Sequence, residues 1–282
     1  MTRLEAGGLH RTCQNIRASI LRMAHHGGTP HVAPALSCVE LLAGLYYSVL
    51  RIDPQHPDSP GRDRFLLSKG HACMAQYATL CERGFFPRHL LDQYAADGAA
   101  LAEHPSPGCA PGIEAATGSL GHGLSIGAGL ALAARLRRQD YRTFVLLSDG
   151  ECNEGSVWEA AIFARRYQLD NLIAIVDYNK WSAMARTDTF LEPFAAKWEA
   201  FGWATAEIDG HNLEAITTAL GAPPLEAGRP TAFIAHTVKG KGVSFMENDL
   251  EWHYKTPTGP DLERAIAEIE QSASPSLSSR RL

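Results

Sequence analysis

The sequence has no apolar run that approaches the roughly 20 residues needed to cross a bilayer, and its N-terminus lacks the unbroken apolar core of a secretory signal. No basic tract offsets the net charge of −5, which argues against a general nucleic-acid-binding protein. The cysteines are scattered and form no C-x-x-C pair, so neither a disulfide framework nor a zinc ribbon is indicated. These absences predict a soluble, cytoplasmic protein that binds neither membranes nor nucleic acid.

The centre of the chain shows a regular alternation of apolar segments and helical patterns. Apolar runs at 143–148, 172–178 and 231–237 have the composition of buried strands, and a helical pattern occupies 155–168. Outside the centre, helices are predicted at 13–23, 37–50, from about 71, and at 120–139, with a short strand at 65–68. Near-continuous apolar strands predict an α/β fold with a parallel sheet flanked by helices on both faces. We expect this domain over 1–270 and a disordered C-terminal tail over 271–282.

Two polar side chains lie at the ends of successive predicted strands. Asp149 ends the first, with Gly150 directly after it, and Asn179 ends the next. A right-handed crossover brings both ends to the carboxyl edge of the sheet, where ligands of open α/β sheets bind. A carboxylate and an amide oxygen suit Mg²⁺, while Gly150 and the following helix N-terminus suit a phosphate. A structural alternative stays open, in which Asp149 and Glu151 cap the helix and Asn179 closes a turn.

The segment 148–181 resembles the thiamine-diphosphate motif D-G-x₂₈-N of the transketolase family. The resemblance implies a thiamine-diphosphate-binding fold, in which Asp149, Asn179 and the backbone carbonyl of Trp181 hold Mg²⁺. It also implies that Gly150 lies against the diphosphate, and that Ca²⁺ or Mn²⁺ could replace Mg²⁺. The family motif usually opens with glycine, where this sequence has Ser148. We expect the site to tolerate serine, because it is small and both metal ligands remain.

A second glycine-rich stretch and two further positions match the same family. TGSLGHG at 117–123 resembles the loop whose backbone contacts the pyrimidine ring, with Gly118 and Leu120 at the matching positions. Glu154 matches a glutamate that lies at the subunit contact and couples the cofactor sites, although a first-turn glutamate is also favoured by the helix dipole. The turn TVKGKG carries Lys239 and Lys241, which could approach the diphosphate or simply be solvated.

Four histidines occur in matching local sequence and in the family's order. By resemblance, His71 in LSKGHA and His253 in EWHYK lie near the diphosphate or the reaction centre. His31 in HVAPAL and His104 in EHPSPG are expected to contact the donor sugar. Imidazole suits such a site because it both donates and accepts protons near neutral pH. No two of the four show a zinc-type spacing.

The resemblance covers about 10–260 and matches only the first domain of a full-length transketolase. It implies the N-terminal subunit of a two-component transketolase, which transfers a two-carbon ketol unit between a ketose and an aldose, often phosphorylated. A partner subunit would carry the pyrimidine-binding domain, in an α₂β₂ heterotetramer with the cofactor at the contact. Two alternatives stay open: the α subunit of another thiamine-diphosphate enzyme (2-oxo-acid dehydrogenase or deoxyxylulose-phosphate-synthase-like), and a non-catalytic half-enzyme that regulates a partner. A Rossmann protein is disfavoured, because no G-x-G-x-x-G follows the first strand.

Overall fold

The computed structural model describes residues 6–272. Within that range the chain forms a five-stranded sheet in the order β1-β2-β3-β5-β4, and every neighbouring pair of strands is parallel. The strands are β1 Arg64–Leu67, β2 Thr143–Ser148, β3 Leu172–Tyr178, β4 Ala204–Asp209 and β5 Thr231–His236. The α/β prediction is therefore confirmed. The tail predicted at 271–282 lies outside the described residues, apart from its first two positions, which end the last helix.

Helices cover both faces of the sheet. They are α1 Ala6–Gly27, α2 Val32–Leu36, α3 Val39–Gly44, α4 Cys73–Arg83, α5 Gly123–Leu136, α6 Gly155–Arg166, α7 Asp188–Leu191, α8 Phe194–Ala200, α9 Leu213–Gly221 and α10 Pro260–Ser272. A π-helical turn spans Leu45–Val49, and short 3₁₀ helices span Gly70–Ala72, Arg88–Gln93, Gly150–Asn153 and Leu250–His253.

Alternate residues of the central strands enter two separate cores. Phe144 and Leu146 pack with α1, α3, α4 and α9, whereas Val145 and Leu147 pack with α5, α6 and α8. The division follows from the two-residue period of a strand, which turns successive side chains to opposite faces. Every residue of β2 and β3 is buried, which is why these strands read as unbroken apolar runs.

The helix predicted at 37–50 needs correction. In its place the structure has α3 and the π-helical turn, and the separate helix α2 ends just before the predicted start. The segment Val32–Val49, which comprises all three elements, is long and apolar enough to span a membrane. The expectation that no apolar run approaches that length was therefore wrong. In this structure 89% of the segment is buried inside the protein, as in a core helix of a globular domain.

The crossover from β2 through α6 to β3 sets the position of the functional edge. In the register between these strands, Ser148 is opposite Asp177. Residues that directly follow the two strands are consequently neighbours at the carboxyl edge of the sheet.

Candidate active site

An open cleft of about 600 Å³ lies at the carboxyl edge of the sheet. Its walls are built by residues that follow β1, β2, β3 and β5, together with loops before α2 and α5. Every predicted site residue except Asp149 lines this cleft: His31, His71, His104, Gly118, Leu120, Gly150, Glu154, Asn179, Trp181 and His253. The structure thus brings together residues that are more than two hundred positions apart in the sequence, while their individual roles stay predictions.

Asp149 lies behind the cleft wall and joins the ends of β2 and β3. Its side chain is fully buried, and one carboxylate oxygen accepts from the backbone N–H of Gly150 at 2.8 Å. The other oxygen accepts from the backbone N–H of Lys180 and the hydroxyl of Thr187, both at 2.7 Å. Asn179, next to Lys180, accepts from the N–H of Trp181 at 3.1 Å through its side-chain oxygen. The predicted metal ligands are therefore adjacent.

The residues around Asp149 fit a divalent cation. Burial, and secondarily the charge of Asp177, raise the pKa of Asp149 to about 7. In the described part of the chain no lysine or arginine side chain donates a hydrogen bond to this carboxylate. No group of three or more His, Cys, Asp or Glu side chains is arranged to hold a metal ion among the described residues. A site of one carboxylate, one amide and a backbone carbonyl matches the oxygen ligands that Mg²⁺ takes alongside phosphate and water.

Ser148 is accommodated inside the turn that carries Gly150. Its hydroxyl accepts from the backbone N–H of Glu151 at 3.2 Å, and its own N–H donates to the Glu151 carboxylate at 3.2 Å. A Cβ on Gly150 would lie 3.2 Å from the Cα of Ser182, so the glycine permits a close approach of two backbone segments.

Glu151 was interpreted from the sequence only as a helix cap, and the structure gives it a larger role. It is fully buried, and its carboxylate accepts from the Ser68 hydroxyl and from the N–H of Gly121 at 2.9 Å. Burial raises its pKa. Glu151 therefore ties the turn after β2 to the loop after β1 and to the glycine loop that contains Gly118. Its position directly after the D-G pair was the only local signal.

Gly118→Ala is expected to disrupt the glycine loop. Gly118 has φ +138°, and a Cβ there would lie 2.6 Å from Cδ2 of His104, so the imidazole must move. We expect the free energy of unfolding, measured by urea denaturation, to fall by about 1–3 kcal/mol. Gly129→Ala is the matched control, because an added Cβ on this exposed face of α5 meets nothing within 4 Å. The control substitution should raise the free energy of unfolding by about 0.5–1 kcal/mol. A similar effect of both substitutions would contradict the steric argument.

The four predicted histidines form one cluster in the cleft. The ring of His31 lies 5.4 Å from that of His71, 5.2 Å from that of His253 and 6.5 Å from that of His104. Burial, followed by the charges of His104 and Lys239, lowers the pKa of His31 to about 4. Burial and Lys239 lower the pKa of His253 to about 3, and burial holds the pKa of His71 well below its usual value. The lowered pKa values keep these three rings uncharged at neutral pH, so each has a ring nitrogen that can accept a hydrogen bond.

A buried ion pair below the cluster was not foreseen. Lys69 and Asp177 have fully buried side chains and pair directly, and Asp177 also accepts from the hydroxyls of Ser37, at 2.5 Å, and Thr237. Burial would raise the pKa of Asp177, but the charge of Lys69 outweighs it and the pKa is lowered. The sequence carried little signal for this pair, because LIAIVDY is typical of an apolar strand and the LSKGHA motif was interpreted through its histidine.

The two lysines of the turn TVKGKG have different surroundings. Lys239 is buried, lines the cleft, and its ammonium lies 3.0 Å from Nδ1 of His253 and 3.1 Å from the carbonyl of Ser182. Burial lowers the pKa of Lys239 to about 8. Lys241 is instead partly exposed and lies 3.7 Å from Glu247, away from the cleft. Of the pair, Lys239 is the one placed to meet an anion.

The parallel sheet and the cleft at its carboxyl edge place this chain among the α/β domains that bind a phosphorylated ligand at that edge. The family model described as "Transketolase, thiamine diphosphate binding domain" matches residues 10–268. The chain belongs to the transketolase family, and the matched part is its thiamine diphosphate-binding domain. The family predicted from the sequence motifs is confirmed.

Two curated relatives are similar over most of their own length. An apulose-4-phosphate transketolase subunit of Phocaeicola vulgatus is 40% identical over 257 residues, covering 90% of this chain and 91% of the relative. The 6-deoxy-6-sulfo-D-fructose transketolase subunit SqwG of Clostridium sp. strain MSTE9 is 42% identical over 246 residues, covering 86% and 90%. Among solved structures, transketolase from Leishmania mexicana matches 94% of this chain with a TM-score of 0.86 at 29% identity. This chain spans 41% of that longer protein.

Proposed function

We propose that this chain is the diphosphate-binding subunit of a two-component transketolase, which transfers a two-carbon ketol unit from a ketose to an aldose, often phosphorylated. One observation carries the proposal. The match covers about nine-tenths of the length of two relatives that are named as transketolase subunits, and not only part of a longer enzyme. The cleft supports it, because the ligands for a metal and a diphosphate lie next to a cluster of unprotonated histidines.

In this proposal the carboxyl edge of the sheet holds Mg²⁺ and the diphosphate. Asp149, Asn179 and the carbonyl of Trp181 bind the metal, for which Ca²⁺ or Mn²⁺ could substitute. Gly150 lets the backbone approach the diphosphate, and the Lys239 ammonium neutralises part of its charge. Bound thiamine diphosphate supplies the chemistry by which a carbon–carbon bond next to a carbonyl is broken and remade.

The histidines handle the sugar and its protons. His31 and His253 are uncharged in the cleft, so each has a ring nitrogen that can accept a hydroxyl proton from the donor as the carbon–carbon bond breaks, and their low pKa values favour release of that proton. The proton can return to the acceptor aldehyde oxygen when the new bond forms. We assign His104 to the donor sugar hydroxyls and His71 to the diphosphate side of the cleft, since His71 lies in the short 3₁₀ helix that follows β1.

A partner that carries the pyrimidine-binding domain completes the proposed site, and we propose an α₂β₂ assembly. The exposed faces of α5 and α6, with the residue that directly follows α6, support this, because they carry large apolar side chains of the kind that an interface covers: Ile126, Leu136, Ile162, Phe163 and Tyr167. Glu154, exposed at the rim of the cleft before α6, would lie at that contact. All six cysteines are free, which fits a reducing, cytoplasmic location.

A donor comparison tests the reaction class. The chain is purified in complex with its pyrimidine-domain subunit, Mg²⁺ and thiamine diphosphate, and is assayed with ketose phosphates or pyruvate as donor and an aldose phosphate as acceptor. We expect ketol transfer from a ketose and no carbon dioxide release from pyruvate. Release of carbon dioxide would favour a 2-oxo-acid dehydrogenase or a deoxyxylulose-phosphate-synthase-like enzyme. Cofactor binding without turnover of any donor would favour the regulatory half-enzyme.

A further inference from the structure

The segment 237–242, called here the Lys239 loop, is held by side chains from distant parts of the chain. On one side of Lys239, the backbone N–H of Val238 donates to Nε2 of His211 at 2.8 Å. On the other side, the backbone carbonyl of Lys241 accepts from Nε of Arg17 at 2.9 Å. The two anchors flank Lys239, whose ammonium reaches the cleft.

The tautomer of His211 follows from its two partners. An amide N–H can only donate, so Nε2 accepts from Val238 and the ring proton is on Nδ1. The Nδ1–H group donates to a carboxylate oxygen of Glu40 at a distance of 3.0 Å. His211 thus links Glu40, on α3, to the backbone next to Lys239 through two hydrogen bonds.

Glu40 and Arg17 close the network. The guanidinium of Arg17 donates to both carboxylate oxygens of Glu40, at 2.6 and 2.8 Å, and both side chains are more than nine-tenths buried. Burial raises the pKa of Glu40, but the charge of Arg17 and the bond from His211 outweigh it and lower the pKa to about 2. The carboxylate therefore stays ionised and acts only as an acceptor. The chain of contacts runs from Lys241 through Arg17, Glu40 and His211 to Val238.

We propose that Arg17, Glu40 and His211 are positioning residues that set the Lys239 loop for an anionic diphosphate. This inference rests on the proposed function, in which Lys239 binds the cofactor. A buried ion pair adds little net stability compared with apolar packing, so we attribute to this pair the geometry that it imposes on the loop. Here both ends of the network bond to the loop backbone. Among the described residues the Lys239 ammonium bonds to His253 and to the carbonyl of Ser182, which leaves one of its three N–H groups for a ligand.

The test uses His211→Ala and Glu40→Gln in the assembled complex, with two readouts. We expect the dissociation constant for thiamine diphosphate at fixed Mg²⁺ to rise about tenfold, with kcat at saturating cofactor changed less than about twofold. In the cofactor-free complex, the Val238 amide should exchange with deuterium faster, because its acceptor is lost. His211→Gln, whose amide can both accept and donate, should restore part of the affinity.

Asp63→Asn is the matched control. Asp63 is a fully buried carboxylate that pairs with Arg51 and Arg142, but it lies at the opposite, amino edge of the sheet. It should lower the melting temperature without changing cofactor affinity or Val238 exchange. Unchanged affinity in His211→Ala, or an equal loss in Asp63→Asn, would overturn the positioning role. If the native complex itself fails to bind thiamine diphosphate, the proposed function is the part that is wrong.

Discussion

Asp149→Asn is expected to abolish Mg²⁺-dependent retention of thiamine diphosphate in the assembled complex and to leave the fold intact. Asp149 is the only carboxylate in the proposed ligand set, and its buried position gives water little access to replace it. We expect affinity to fall about a hundredfold or more, equivalent to about 3 kcal/mol. The amide oxygen of the variant still accepts some of the hydrogen bonds from Gly150, Lys180 and Thr187, so the free energy of unfolding should fall by only about 1 kcal/mol.

The measurement is a titration of the complex with thiamine diphosphate at fixed Mg²⁺, together with the melting temperature. Asp63→Asn serves again as the control, because it removes a buried charge far from the cleft and should leave the titration unchanged. Native affinity in Asp149→Asn would contradict the metal assignment. A large fall in melting temperature would instead support the structural alternative, in which Asp149 only caps the turn after β2.

The second large effect concerns the chain by itself. Purified without a partner, but with Mg²⁺ and thiamine diphosphate, it is expected to show ketol transfer at least about a thousandfold slower than the complex. The cleft of this chain provides the diphosphate edge and the histidines, whereas the resemblance assigns the group that activates the pyrimidine ring to the partner. Loss of a positioned acid–base group commonly costs about 10²–10⁴ in rate.

The assay follows aldose consumption with a ketose donor, first for the chain alone and then after the pyrimidine-domain subunit is added to the same sample. Recovery on addition shows that the isolated chain was folded and competent. Turnover by the chain alone within tenfold of the complex would rule out the two-component proposal. If ketol transfer does not recover after a folded partner is added, the result favours a non-catalytic role for this chain.

The strands of the fold were predictable to different degrees. β2 and β3 matched their predicted bounds, because central strands buried on both faces are continuous apolar runs. β4 was missed, since only Ala204 of this edge strand is buried, its other residues are partly or fully exposed, and it carries Glu207 and Asp209. The short helix α2 and the π-helical turn after α3 were also missed, because the apolar pattern of 37–50 is that of one continuous helix.

The features of the site were also predictable from the sequence to different degrees. The convergence of Asp149 and Asn179 could be predicted, because strand order and crossover handedness bring successive strand ends to one edge. The pairing of Lys69 with Asp177 could not, since 108 positions separate them and neither lies in a local pattern that identifies a partner. His211 is likewise 171 positions from Glu40.

The sequence by itself determined the α/β class, the family and the set of residues around the cleft, because apolar periodicity and short motifs are local properties of the chain. Only the tertiary structure decided how that set is supported: the buried carboxylate of Glu151 between two loops, the pair of Lys69 and Asp177, and the network that holds the Lys239 loop. Buried charges need partners wherever the fold brings them, and those partners come from segments whose proximity exists only after the sheet and both helical layers have assembled.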